Sequence, residues 1–220
     1  MARGLHVWLL AVAAMTLTAG AQAQDAAPAA AANDKRSPGL YWTLETDRGN
    51  IACKLYEKEA PNTVRTMVGL AVGKISYQDP TTGATMKKRY FDGLTFHRVI
   101  PNFMIQGGDP TGTGSGGPGG PGFPYKNEHA PNLNFDAGGR LAMANRGKYT
   151  NGSQFFITEG PVGLPANTYT IWGQCENLNV VRAIARVPTT ADRPNTPLHI
   201  KRVVVERVGP APANAPEALP

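Results

Sequence analysis

The chain of 220 residues has little cysteine and no clustered metal ligands. Its two cysteines, Cys53 and Cys175, are far apart and form no C-x-x-C pair, which argues against a redox motif or a zinc site. The domain histidines, His97, His129 and His199, share no metal-ligand spacing. The sequence therefore predicts no metal site.

A strong excess of one charge is also missing, since 22 basic residues face 16 acidic ones and the formal net charge is +6. The densest basic run, Lys87-Lys88-Arg89, is short and has no aromatic residues interleaved with it. Such a run is typical of a solvated loop and predicts no nucleic-acid partner.

Long apolar runs are absent except near the start, where Arg3 precedes an apolar stretch from Val7 to Ala19. That stretch is shorter than the about 20 apolar residues of a membrane-spanning helix. Ala21-Gln22-Ala23 follows as a small-residue cleavage site, so residues 1–23 are predicted to be a secretory signal peptide. An uncleaved anchor is the alternative. Export predicts a periplasmic or secreted protein without stable membrane association after cleavage, and it permits a disulfide.

No internal repeat is visible, and the remaining chain divides by composition. Residues 24–37 are Ala-rich and predict a disordered linker, residues 209–220 predict a flexible tail, and residues 38–208 form one domain. Apolar periodicity predicts helices over residues 61–72 and 178–185. Strands are predicted over residues 40–46, 50–56, 94–100, 103–106, 141–144, 155–158, 168–172 and 200–208. Residues 74–90 are predicted to be a surface loop. This pattern predicts a mainly β fold, a small closed barrel with two helices.

Two motif matches in the domain lack the context that their chemistry requires. Residues 112–117 fit G-x-G-x-x-G, but Pro118 and Pro121 follow where a dinucleotide site needs a helix, so a turn-rich or flexible loop is predicted. Gly152-Ser153 is not a hydrolase elbow, because Phe155 stands where the second glycine is needed. The nominal glycosylation site at Asn151 is interpreted as a turn.

The segment from Phe96 to Asp109 contains one permanent cation, Arg98, and one amide, Gln106, among aromatic and aliphatic residues. No nucleophile or acid/base pair stands beside them. Such a set suits a reaction that breaks no covalent bond, and rotation about an X-Pro peptide bond is one. Arg98 is predicted to be functional, since no acid at strand spacing offers it a partner.

Three segments, residues 96–109, 139–147 and 151–158, together and in this order resemble the cyclophilin family of peptidyl-prolyl cis/trans isomerases. The resemblance covers roughly residues 39–208. It implies a closed barrel of eight antiparallel strands, capped at each end by a helix.

The resemblance also implies the site. Arg98, Gln106 and Asn145 match positions that are catalytic in the family. Substrate-binding roles match His97, Phe103, Met104, Ala144, Gln154, Phe156, Leu164 and Tyr169. The chain departs from the family after Glu159: Gly163 stands where many cyclophilins carry Trp, and Tyr169 stands near a common His. This departure predicts weak binding of cyclosporin-type inhibitors.

The resemblance further makes the strands of Cys53 and Cys175 neighbours, so either a disulfide or two buried free thiols is expected. The expected activity is prolyl isomerisation that assists protein folding in the periplasm. The expected protein is a monomer without cofactor, and its clients are proline-containing polypeptides. A non-catalytic module that binds proline-containing peptides is the alternative function, and a nucleotide-binding enzyme is a distant third.

Overall fold

A computed structural model describes Met1, residues 36–165 and residues 167–211. The predicted signal peptide beyond Met1, most of the predicted linker and residues 212–220 of the tail lie outside the described residues.

Within the described ranges the chain forms twelve strands and two helices. The strands are β1 (Gly39–Thr46), β2 (Gly49–Leu55), β3 (Tyr77–Gln78), β4 (Thr85–Met86), β5 (Arg98–Ile100), β6 (Met104–Gly107), β7 (Arg140–Met143), β8 (Phe155–Thr158), β9 (Ile171–Cys175), β10 (Thr189–Thr190), β11 (Arg193–Pro194) and β12 (Ile200–Val208). The helices are α1 (Pro61–Ala71) and α2 (Leu178–Ala185). No described helix combines the length and apolarity needed to cross a membrane.

Helix α1 begins with Pro61 at its first turn, where the missing N–H of proline costs no hydrogen bond. The side chain of Ala60 cannot cap the helix, and Glu128 does so from a distant loop. Its carboxylate accepts the backbone N–H groups of Asn62 at 3.0 Å and Thr63 at 2.7 Å, and also the hydroxyl of Thr63. A negative charge at this end also suits the helix dipole.

Eight strands form one antiparallel curled sheet in the order β12-β1-β2-β9-β7-β8-β6-β5. The fold class is as predicted, but the sheet is open between its edge strands β5 and β12. The segment before β5 meets the start of β12 and the residues before it there: Phe96 N–H donates to Leu198 O at 2.9 Å and Ile200 N–H to Leu94 O at 2.7 Å. Strand β5 does not pair with β12 beyond this point, because Val99 N–H of β5 donates to Asp192 O of the β10–β11 hairpin instead.

The interior of the curled sheet holds the main core, centred on Trp42. Its indole ring makes edge contacts with Phe91, Phe155 and Trp172 at centroid distances between 5.0 and 5.4 Å. A second, smaller apolar cluster includes Phe156 and lies apart from this core. Adjacent strand residues point to opposite faces, so β8 supplies Phe155 to one cluster and Phe156 to the other, as predicted.

The two cysteines form a disulfide, with the sulfur atoms 2.11 Å apart and a Cα–Cα distance of 3.8 Å. Cys53 on β2 lies directly opposite Cys175 on β9. The sequence left a bridge and free thiols open, and strand register decides for the bridge.

Two small hairpins were not predicted. The β3–β4 hairpin lies in the supposed loop over residues 74–90, and the β10–β11 hairpin follows α2. The strand predicted over residues 94–100 was too long, because only Arg98–Ile100 pairs within a strand. The two hairpins escaped prediction because each of their strands, β3, β4, β10 and β11, has two residues, which is too short for a detectable alternation of apolar and polar residues.

Candidate active site

Strand register brings the predicted site residues together in one row across the sheet. Arg98 on β5 pairs with Gln106 on β6, and Gln106 pairs with Phe156 on β8. Phe156 in turn pairs with Ala142 on β7. Met104 is two residues before Gln106 and therefore shares its face of the strand. The row places a cation, an amide and an aromatic ring side by side.

A cavity of about 210 Å³, here named the central pocket, opens over this row. Its lining contains nine of the eleven site residues that the sequence predicted: Arg98, Phe103, Met104, Gln106, Ala144, Asn145, Phe156, Leu164 and Tyr169. The residues come from five separate parts of the chain. Their convergence is a property of the fold rather than of local sequence.

Aromatic packing fixes the floor of the central pocket. Phe156 is 5% exposed and stacks on Phe135, with ring centroids 5.7 Å apart and planes inclined by 23°. Tyr169 meets the edge of Phe156 at 5.5 Å. Tyr169 therefore belongs to the aromatic group around Phe156. Phe135 was not predicted, because a single aromatic residue in a loop gives no signal of its partner.

A larger cavity of about 410 Å³, the side groove, lies beside the central pocket and shares Gln106, Ala144 and Asn145 with it. Gln154 lines the side groove only. The amide of Gln106 donates to Gln154 Oε1 at 2.9 Å, and Gln154 Nε2 donates to the carbonyls of Gly114 and Gly116. The two glutamines therefore join the central row to the glycine-rich loop over residues 109–118.

Buried Asp109 organises the glycine-rich loop. Its carboxylate accepts hydrogen bonds from the backbone N–H groups of Thr111, Gly114 and Gly116 and from the Thr111 hydroxyl, at 2.6–3.1 Å. Burial alone would raise the pKa of Asp109, but these hydrogen bonds outweigh burial and lower it. Because a carboxylate of the chain itself occupies amides of the G-x-G-x-x-G segment, this loop does not offer them to a phosphate. The backbone at Gly116 approaches the carboxylate so closely that a Cβ at this position would clash with Asp109 Oδ1.

Asn145 is held by a chain of amides. Its Nδ2 donates to the Thr168 carbonyl at 2.9 Å and to Asn151 Oδ1 at 3.4 Å. Asn151 is fully buried and donates in turn to Asn127 Oδ1 at 2.8 Å. The turn interpretation of Asn151 is therefore incomplete, since its side chain supports the site from the interior.

His97 was predicted to contact substrate, and the structure does not place it in the lining of either cavity. Its side chain is 6% exposed because it precedes Arg98 in the strand direction and points to the opposite face. Burial is the main cause that lowers the pKa of His97. The positive charges of Arg193 and Arg98 lower this pKa further, and the negative charge of Asp109 raises it in part. The lowered pKa favours the neutral ring, and the side chain lies outside the lining of both cavities.

Arg98 has an acidic neighbour that sequence spacing did not predict. Its Nε lies 3.4 Å from Asp192 Oδ2, and the two side chains are 45% and 47% exposed. The residues are 94 positions apart, so no local pattern reveals the pair. Among the described residues, no group of three His, Cys, Asp or Glu side chains is arranged to hold a metal ion.

Comparison with known proteins agrees with this geometry. Residues 41–205 match the family described as "Cyclophilin type peptidyl-prolyl cis-trans isomerase/CLD". The chain belongs to the cyclophilin family.

Among curated relatives, peptidyl-prolyl cis-trans isomerase B of Streptomyces anulatus is 46% identical over 172 residues, which cover 76% of this chain and 97% of the relative. Peptidyl-prolyl cis-trans isomerase A of Mycobacterium tuberculosis is 45% identical over 167 residues, covering 74% of this chain and 90% of the relative. This cyclophilin is thus an enzyme of the prolyl isomerase class.

Solved structures give the same family. A Cryptosporidium parvum cyclophilin-type isomerase matches with a TM-score of 0.67 at 28% identity, covering 77% of this chain and 99% of the other. A second structure of that protein, obtained in the presence of the dipeptide Ala-Pro, matches with a TM-score of 0.66 at 28% identity, over 76% and 99% of the two chains.

Proposed function

We propose that this cyclophilin catalyses cis/trans rotation of X-Pro bonds in proline-containing polypeptides and assists their folding after export, in the periplasm or outside the cell. The single observation that supports the choice of site is the central pocket, where one guanidinium, two amides and three aromatic rings converge from distant segments. The signal-like N-terminus supports the location.

The barrier to this reaction arises from amide resonance and is roughly 18–20 kcal/mol. As the C–N bond twists, resonance is lost and a lone pair appears on the proline nitrogen. The planar amide is the more polar state and is favoured by water. A site that removes water and places a donor at the nitrogen therefore favours the twisted state over the planar one.

The central pocket supplies these features. Met104 and Phe156 are 2% and 5% exposed and form an apolar floor that fits a pyrrolidine ring. Arg98 lies on the same face and carries N–H donors for the proline nitrogen and carbonyl. Gln106 has a second amide N–H besides the one bonded to Gln154, and we assign it to the peptide carbonyl before proline, so that one side of the bond stays fixed while the other rotates. Asn145 lines the pocket with its Nδ2 bonded to Thr168 and Asn151, and its proposed role is to shape the wall that holds the substrate.

The energetic demand matches this kind of site. An acceleration of ~10⁵-fold requires a barrier lower by about 7 kcal/mol, and pre-organised donors in a water-poor pocket supply effects of that size. No step needs a nucleophile, a proton transfer or a cofactor.

The direct test is an exchange assay on an Ala-X-Pro-Phe peptide, by protease coupling or by NMR, using the chain without residues 1–23. We expect an exchange rate proportional to enzyme concentration. Peptide binding without accelerated exchange would instead identify a non-catalytic peptide-binding module. Sedimentation of the same sample tests the proposed monomer, and fractionation of cells carrying the full chain tests export.

A further inference from the structure

The β10–β11 hairpin lies beside the site although its sequence carries no recognised motif. It contacts β5 through the backbone, where Val99 N–H donates to Asp192 O at 2.8 Å. It also contacts the glycine-rich loop, where Arg193 Nη1 donates to Gly112 O at 2.7 Å. The hairpin is therefore tied to both walls of the site.

The turn of this hairpin presents Asp192 to the predicted catalytic residue. Ala191 and Asp192 have φ values of 49° and 65°, as expected for the two central residues of a tight type I′ hairpin turn. Aspartate tolerates this left-handed conformation better than most residues. In it, Oδ2 of Asp192 reaches Nε of Arg98 at 3.4 Å while the backbone of the same residue holds Val99.

We propose that Asp192 is a positioning residue for prolyl isomerisation, which holds the guanidinium of Arg98 by its Nε edge and leaves the two terminal nitrogens for the substrate. The proposal rests on the proposed function of Arg98. A long arginine side chain that is nearly half exposed samples several rotamers, and a second contact restricts them before substrate arrives. Gln106 flanks Arg98 on the sheet side, and Asp192 flanks it on the side where the sheet is open.

An acid beside a catalytic cation also has an opposite effect, because its charge weakens the field that the guanidinium exerts on the proline nitrogen. The two effects predict opposite results for Asp192→Asn. Asparagine keeps the size of the side chain, favours the same left-handed turn and leaves the backbone carbonyl bonded to Val99. If positioning dominates, the variant is slower than the parent enzyme. If weakening of the field dominates, the variant is faster.

We expect kcat/KM of Asp192→Asn on an uncharged X-Pro peptide to fall about 3- to 10-fold through kcat, with KM nearly unchanged. In an Arg98→Ala background the same substitution should have no effect, because nothing remains to be positioned. Raising the salt concentration to about 1 M should lower the activity of the parent enzyme towards that of the variant, since the exposed pair is screened.

Asp47→Asn is the matched control. Asp47 also carries an exposed ion pair, with Lys201 at 3.5 Å, but it lies at the β1–β2 turn outside the lining of both cavities. We expect this variant to keep full activity and unchanged salt dependence. Ala191→Gly relieves the left-handed strain without touching the carboxylate and should also keep full activity.

Unchanged or faster exchange by folded Asp192→Asn would overturn the positioning role, as would an equal loss in the Arg98→Ala background. These outcomes differ from a failure of the proposed function, in which Arg98→Ala itself would retain normal activity.

Discussion

The central pocket and the glycine-rich loop lie on either side of Gln106, and different forces order them. Strand pairing places the pocket residues in a row, and aromatic packing fixes Phe156 between Phe135 and Tyr169. The loop has no strand pairing within residues 109–118, and one buried carboxylate, Asp109, organises four of its donors. The pocket on strands is stabilised by many contacts, whereas the backbone N–H groups of the loop at Thr111, Gly114 and Gly116 share one acceptor side chain and therefore depend on it.

Arg98→Ala is expected to have the largest effect and tests whether the pocket side carries the chemistry. Because Arg98 is exposed and its donor acts more strongly on the twisted state, kcat/KM should fall roughly 10²- to 10³-fold while peptide affinity changes little. Exchange kinetics and peptide titration measure the two quantities. Arg98→Lys should recover only part of the loss, since it keeps the charge without the planar fork.

The melting temperature of Arg98→Ala should stay near that of the parent enzyme, because an exposed ion pair contributes little stability. Near-normal exchange by the folded variant would show that Arg98 is an ordinary surface cation without a catalytic role.

Asp109→Ala is expected to have the next largest effect and tests whether the loop depends on one residue. The four donors lose their acceptor, so the free energy of unfolding should fall by about 2–3 kcal/mol. Denaturant titration measures this loss. Binding of a short Ala-Pro peptide to the central pocket should persist, because the pocket floor is built by β6 and β8.

The charge of Asp109 adds a pH dependence. Its folded pKa is lowered below the ordinary value of 3.8, so its stabilising effect is complete above that pH and is lost as the pH falls below it. Unfolding experiments should therefore find the parent enzyme more stable than Asp109→Asn at pH 7, with the difference shrinking below pH about 4. An equal difference at pH 7 and well below pH 3 would contradict this account.

Gly163→Trp is expected to have a smaller effect and sharpens the description of the pocket rim. A Cβ at Gly163 meets nothing within 4 Å, so the backbone there accepts a side chain without an immediate clash. An added indole supplies an N–H donor and an apolar face, which should tighten cyclosporin-type inhibitors by about 10-fold. Isothermal titration measures the change, and nanomolar binding by the parent enzyme would refute the predicted role of the missing Trp.

Tyr169→His is expected to have the smallest effect. Tyr169 contributes an edge contact to Phe156, and such contacts are worth about 0.5–1.5 kcal/mol beyond buried area. Histidine retains part of the ring contact, so kcat/KM should change by no more than about 3-fold. A loss as large as that of Arg98→Ala would show that the tyrosine hydroxyl acts on the substrate.

The sequence by itself determined the hairpin of β1 and β2, both helices and the segments that carry the site, because these features depend on local periodicity and on motifs within a few residues. It also divided Phe155 and Phe156 between two faces, since alternation is a property of a single strand.

Only the tertiary structure decided the Cys53–Cys175 bridge, the burial of His97, the open edge of the sheet and the neighbours of Arg98. Asp192 and Glu128 act on residues 94 and 65–66 positions away, and no periodicity records a contact at that distance. Such contacts form because pairing between strands that are distant in sequence brings their connecting segments together, which no local pattern encodes.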